Sequence, residues 1–285
     1  MSSFLTNPED ILPVPGLAAR WLAAMGLTAS AAEINALDGI VANVGELNKL
    51  SGFLGSVHSL NSLVPSVKCR LFDDFLGDVL ADNWAAVSGT DDVAADAVIN
   101  VQPGGVVRLV CGDSNTSLAA DGSQLHSALN WRADKGNLVF EARVKIDNIT
   151  DVQLFVGLTD QVAALEMPVT LSGTTYTTVA TDAVGFLFDT NATTDTIRLV
   201  GVANDVDATH QDSAQAYANA TWKRLRIELT AAGAATFYID GAAIGTQMAG
   251  AVTPTVALTP VICCRALAAV TRNIDVDYIL VEQNR

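Results

Sequence analysis

Hydrophobic residues follow two different rhythms along this chain. Up to about residue 66 they recur every third position in short runs: Ala31/Ile34/Leu37, Val44/Leu47/Leu50 and Val57/Leu60/Leu63. From about Val67 they alternate with polar residues. "LVFEARVKI" puts Leu138, Phe140, Ala142, Val144 and Ile146 on one face, with Glu141, Arg143 and Lys145 on the other. "LRIEL" alternates from Leu225 to Leu229, and "NIDVDYILV" predicts Ile274, Val276, Tyr278 and Leu280 on one side. "VVRLVCG", "VQLFVGL", "VGFLFDT", "TIRLVGV", "TFYID" and "TPVICC" read as further strands, with Gly, Asn and Asp clustered between them. Asp240-Gly241 marks a turn within a meander of strands 222–230 and 235–240. About ten to fourteen strands with almost no helix signal predict a mainly β protein, an antiparallel β-sandwich over 67–285.

The first rhythm is a repeat. Asn35, Asn48 and Asn61 are thirteen residues apart, and the apolar rows keep the same spacing. Thirteen steps of about 100° do not return to one helical face, so short capped helices fit better than one long helix. Ser30-x-x-Glu33 and Asn43-x-x-Glu46 have capping-box spacing, and Gly39 and Gly52 close the first two copies. Each row is too narrow to order its own helix, because isolated helices this short are marginal. The row therefore needs a partner: either the chain's own body or the same row on other subunits. We expect the second, a homotrimer formed through Ile34, Leu37, Leu47, Leu50, Leu60 and Leu63 in a stalk over 27–66. Residues 1–26, with Pro8, Pro13 and Pro15 followed by "LAARWLAAMG", read as an extended arm and a short helix.

Composition narrows the partners. The net charge is −15, of which −12 lies after residue 66, and such a surface repels phosphate backbones. Nucleic acid is therefore not an expected partner. "MSSFLTNPED" lacks a basic region followed by an apolar run, and no apolar stretch approaches the length of a membrane span, so neither secretion nor membrane insertion is expected. Cys69, Cys111, Cys263 and Cys264 have no zinc spacing and read as buried thiols formed in a reducing cytoplasm; alternation sends Cys263 and Cys264 to opposite faces.

"FDDFLGDVLADNW", "TWKRLRIELTAAGAATFYIDGAAIGT" and the closing "NIDVDYILVEQ" resemble segments of concanavalin-like jelly-roll domains, whose last strand returns beside the first. "SAAEINALDG" and "GELNKLSG" resemble short repeats of tailed-bacteriophage virion proteins, notably trimeric head fibres, capsid decoration proteins and tail fibres. Together these resemblances imply a virion protein assembled in the host cytoplasm. In it, an arm at 1–26 docks on the major capsid protein or another virion protein through Leu12, Val14, Leu17 and Trp21, a stalk follows at 27–66, and a lectin-like head occupies 67–285. A tail-fibre receptor-binding protein is the alternative, and a glycan-active hydrolase the third reading.

The chemistry visible in the sequence is sparse. Glycanases of this fold carry two Glu on one strand in a pattern close to E-x-D-x-x-E, which is absent here. Glu141, Glu166 and Glu228 are isolated, and His58, His126 and His210 lack relay spacing. The expectation is thus a non-enzymatic protein with no cofactor or metal. Asp275-x-Asp277 places two carboxylates on one strand face, which reads as a solvated polar face before it reads as a calcium site. Adhesion to host-surface carbohydrate needs an exposed aromatic ring. Trp84, Trp131, Tyr176 and Tyr217 are the candidates; the two tryptophans read as core, and Tyr176 in the "SGTTYTTVATD" loop is preferred.

Overall fold

A computed structural model describes residues 67–90, 96–99, 103–112, 118–162 and 165–285. These belong to one compact unit, Leu60–Arg285. The arm, the repeat rows and their trimer-forming residues lie outside the described residues.

The strands are β1 (Lys68–Asp73), β2 (Ala85–Ser88), β3 (Ala97–Val98), β4 (Val107–Cys111), β5 (Gly122–His126), β6 (Leu138–Ile146), β7 (Val152–Thr159), β8 (Val169–Ser172) and β9 (Thr175–Thr178). They continue with β10 (Ala183–Asp189), β11 (Arg198–Ala203), β12 (Val206–Asp207), β13 (Gln211–Asp212), β14 (Thr221–Leu229), β15 (Ala235–Ile239), β16 (Ala242–Met248), β17 (Thr259–Ala266) and β18 (Arg272–Asn284). Among the described residues the one α-helix is a single turn, α1 (Leu118–Asp121). The first sheet runs β16-β15-β14-β6-β18-β4-β3, with β1 also on β18; the second runs β12-β11-β10-β7-β17-β5-β2, with β13 on β11. The architecture is the antiparallel sandwich that the period-two pattern predicts, and β18 does return beside β1, from Lys68↔Asn284 to Asp73↔Ile279.

Sequence alternation decides what each sheet presents. In β6, Leu138, Phe140, Ala142, Val144 and Ile146 enter the core between the sheets, while Glu141, Arg143 and Lys145 face outward. Strands β7, β10 and β17 behave differently, because almost every residue in them is buried. Their second face has its own cover. The β8–β9 hairpin lies over it, and Met167, Val169, Leu171 and Ala180 pack with Phe155, Ala183, Leu187, Val200, Val202, Val261 and Cys263 as a second apolar cluster. Near-continuous apolar runs are what strands buried on both faces require. Cys264 joins the main core and Cys263 the second, the opposite-face placement that alternation predicts.

One expectation of phase is corrected. The register of β18 against β6 slips between Val276 and Tyr278, and Asp277 is the additional residue of a β-bulge. Ile274 and Val276 face the core, but beyond the bulge Ile279 and Val281 take that role. Tyr278 and Leu280 therefore turn to the opposite face from the one that simple alternation assigns, since a one-residue slip inverts every later side chain.

Candidate functional site

The outer face of the first sheet is open and mixed in chemistry. On β14 the inward phase is Leu225, Ile227 and Leu229, which leaves Trp222, Arg224, Arg226 and Glu228 outside. On β15, Tyr238 is outside; on β6, Glu141, Arg143 and Lys145 are; on β18, Asp275, Asp277 and Tyr278 are. The register aligns these positions, with Trp222 opposite Lys145, Arg224 opposite Arg143, Arg226 opposite Glu141, and Arg143 opposite Tyr278. Together they shape a shallow groove of about 430 Å3 lined by Arg143, Trp222, Arg224, Asp240, Asp277 and Tyr278.

Most charges in and around this groove are committed. The Arg143 guanidinium donates to Asp277 at 2.5 Å. Arg108 donates two hydrogen bonds to Asp275, at 2.7 and 3.0 Å, and Lys145 approaches the same carboxylate at 2.8 Å. Burial alone would raise the Asp275 carboxyl, but these hydrogen bonds and charges outweigh it and hold the group below its ordinary value. The Asp275/Asp277 pair is thus neither a solvated face nor a shared ligand set: Asp275 is buried, and each carboxylate is matched to its own cations. Lys223 reaches Asp240 at 3.4 Å, and Arg226 pairs with Glu228.

Aromatic rings sit between these charges. The Arg143 guanidinium and the Lys145 ammonium each lie 4.8 Å from the Trp222 ring centroid, and the Arg226 guanidinium lies 5.1 Å from that of Tyr238. The Tyr278 hydroxyl donates to Glu141 at 2.6 Å, and the Tyr238 hydroxyl donates to Glu228 at 3.1 Å. Burial first, and then the bond to Glu141, push the Tyr278 phenol well above its ordinary range, so it remains a donor. Side chains clamped in this way present fixed rings at a wet surface.

The sequence-based candidates fall elsewhere. Trp84 and Trp131 are core residues at 6% and 4% exposure; they also border a second cavity of about 700 Å3 with His126 and Asn130, but their rings are committed to the interior. Tyr217 is buried edge-on to Phe188. Tyr176, expected in a loop, lies in β9, partly buried against the second cluster and edge-on to His210 with centroids 4.3 Å apart. Trp222 and Tyr278 were missed for separate reasons. Continuing the "LRIEL" alternation backwards puts Trp222 on the polar face, where an aromatic is itself a signal. Tyr278 was hidden by the bulge.

No protein-family model matches the chain, and no curated protein does. Solved structures do match. An endo-acting O-glycanase of the human gut microbiota is 10% identical with a TM-score of 0.52, covering 74% of this chain and 97% of its own. A Bacillus licheniformis β-glucanase is 11% identical with a TM-score of 0.51, covering 74% and 97%. A β-1,3-1,4-glucanase (lichenase) from a mouse hindgut metagenome is 10% identical with a TM-score of 0.50, covering 74% and 98%. The fold is a concanavalin-like jelly roll. At these identities the likeness is one of fold.

This finding corrects the expectation of a non-enzymatic protein. That expectation rested on the missing single-strand E-x-D-x-x-E run. The fold is one on which glycosidases are built. Moreover, two carboxylates need not share a strand: Glu141 on β6 and Glu228 on β14 stand on one open face.

Proposed function

We propose that the sandwich recognises carbohydrate through the groove across β14, β6 and β18, and that the chain displays it on a phage virion as a homotrimer. In this reading residues 1–26 dock on a capsid or other virion protein and residues 27–66 form the stalk. The observation that carries the recognition is that Trp222 and Tyr278 line one groove on an open face. Sugar rings have one apolar face that packs on an aromatic ring and hydroxyl edges that bond to Arg and Asp, and this groove offers both. The virion setting is supported by the thirteen-residue repeats and their likeness to phage stalks. Linking three heads would raise a weak single-site affinity, because later binding events become intramolecular.

The test is polysaccharide binding by the full chain and by Trp222→Ala and Tyr278→Ala. Loss of binding in Trp222→Ala at an unchanged melting temperature supports the groove. Undiminished binding removes it.

A second reading, glycan hydrolysis, is favoured by one specific arrangement. Arg226 is directly opposite Glu141, and Glu228 lies two residues further along β14. Two carboxyl groups on one open face are what acid–base cleavage of a glycosidic bond requires.

A further inference from the structure

We infer that the groove selects acidic sugars, with the Arg224 guanidinium as the carboxylate-binding group; this rests on the carbohydrate reading above and deepens it.

The first observation concerns charge. The chain carries 31 acidic and 16 basic residues, yet Lys68, Arg70, Arg108, Arg143, Lys145, Arg224 and Arg226 all belong to the first sheet. With Lys223 and Arg272, nine of the sixteen cations lie on this one sheet against six carboxylates, so on so acidic a molecule it is the place where an anion meets the least repulsion.

The second observation separates Arg224 from its neighbours. Arg108 and Lys145 are held by Asp275, Arg143 by Asp277, Lys68 by Glu282, and Arg226 by Glu228. The guanidinium of Arg224 has no ion-pair or hydrogen-bond partner among the described residues. Only its backbone is engaged, donating to Asp240 at 2.9 Å and accepting from the Asp240 N–H at 2.8 Å. These bonds fix the root of the side chain. Its tip lies over the turn, since a Cβ added at Gly241 would come within 2.6 Å of Nη2. Gly241, at a φ of +88°, therefore keeps the turn low enough for the guanidinium to rest there.

The third observation is the setting. Arg224 lines the same groove as Trp222 and Tyr278. A sugar stacked on the indole would carry an equatorial carboxylate toward a planar fork of donors, and guanidinium matches carboxylate bidentately. A uronic acid within a polysaccharide is the ligand class that meets both demands. Asp240 and Asp277 border the groove, but Lys223 and Arg143 neutralise them.

The probe pair is polygalacturonate and its fully methyl-esterified form, which keep the backbone and differ in charge, with barley β-glucan as a neutral third. Binding is measured by titration calorimetry on the full chain, on Arg224→Gln and on Trp222→Ala, with melting curves for each. The expected result is that wild type prefers polygalacturonate over the ester by about tenfold or more, the scale of a charge-assisted pair. Arg224→Gln should reduce that preference to about twofold at an unchanged melting temperature, and Trp222→Ala should weaken both probes. Equal binding of acid and ester by wild type overturns the inference while leaving carbohydrate recognition intact. So does an acid preference that survives in Arg224→Gln. If wild type binds none of the three probes, the inference and the reading beneath it both fail.

Discussion

Phe186 of β10 and Phe237 of β15 meet edge to face between the two sheets, with ring centroids 5.4 Å apart and planes inclined at 82°. Both are essentially buried, so each ring fills space that neither sheet can collapse into. Replacing either by Ala should cost about 3–5 kcal/mol. The double variant should reveal a coupling of about 0.5–1.5 kcal/mol, the range for aromatic pairs. Urea unfolding of the four proteins checks this. Strict additivity would mean that the rings share a core without sensing each other.

Acid should loosen the first sheet through Asp275. Its carboxyl titrates below the unfolded value of about 3.9 because Arg108 and Lys145 outweigh its burial. A carboxyl depressed in the folded state contributes stability above the unfolded pKa and loses it as pH falls through the folded one. Stability should therefore drop below about pH 4. Asp275→Asn should be less stable at neutral pH by about 1.5–3 kcal/mol, since it weakens charge-assisted bonds to a partly exposed Arg108 and to Lys145, and its acid limb should be flatter. Melting temperatures from pH 2 to 7 would show whether the two curves converge.

Gly157 and Gly185 face each other across β7 and β10, where no side chain fits. A Cβ at Gly157 would lie 2.2 Å from the Val184 carbonyl oxygen, and one at Gly185 would lie 2.5 Å from the Phe155 ring. Gly157→Ala meets backbone and should cost about 1–3 kcal/mol as an overpacked site. Gly185→Ala meets a ring that is itself buried, so it should cost a similar amount by displacing the second cluster. Chemical denaturation of both variants tests whether the close approach is required.

If the face cleaves glycan as well as holding it, release of reducing ends from host polysaccharide should fall by about a hundredfold or more in Glu141→Gln or Glu228→Gln, the scale of lost acid–base catalysis. Binding should persist in both. Turnover that survives both changes would place any hydrolytic centre away from this face.

The apolar rows give the assembly prediction. If the proposed homotrimer forms through these rows, replacing Ile34, Leu47 and Leu60 together by Asp should yield monomers, because an apolar seam does not accommodate unpaired charge. The β unit should still melt cooperatively. Native mass spectrometry decides it, and a monomeric wild type would end the trimer proposal.

Legibility of this fold followed the side-chain rhythm. β6 was readable to the residue, because one of its faces is wet. The direction of Cys263 and Cys264 was readable for the same reason of alternation. The β8–β9 cover was not, since a strand buried on both sides shows only an apolar run and does not name what lies over it. The groove was half legible: its charges were visible, but Asp277 inserts a residue that no local composition announces, and Tyr278 changed faces with it. Arg224 stands apart from Arg143 only through partners supplied by other strands, and a linear reading does not contain that difference.

The pairing of β1 with β18 has a mechanical meaning. Val67 and Arg285 are joined by a backbone hydrogen bond of 3.1 Å, and Lys68 sits beside Asn284. Pulled apart at these two ends, the strands open like a zipper, one rung at a time and at low force. Pulled instead along β1, between whatever precedes residue 67 and a load on the sheet face, all six paired positions resist together in shear. A tether on the upstream side thus gives the unit its stronger direction, and a head that gripped a moving surface would be held in that direction.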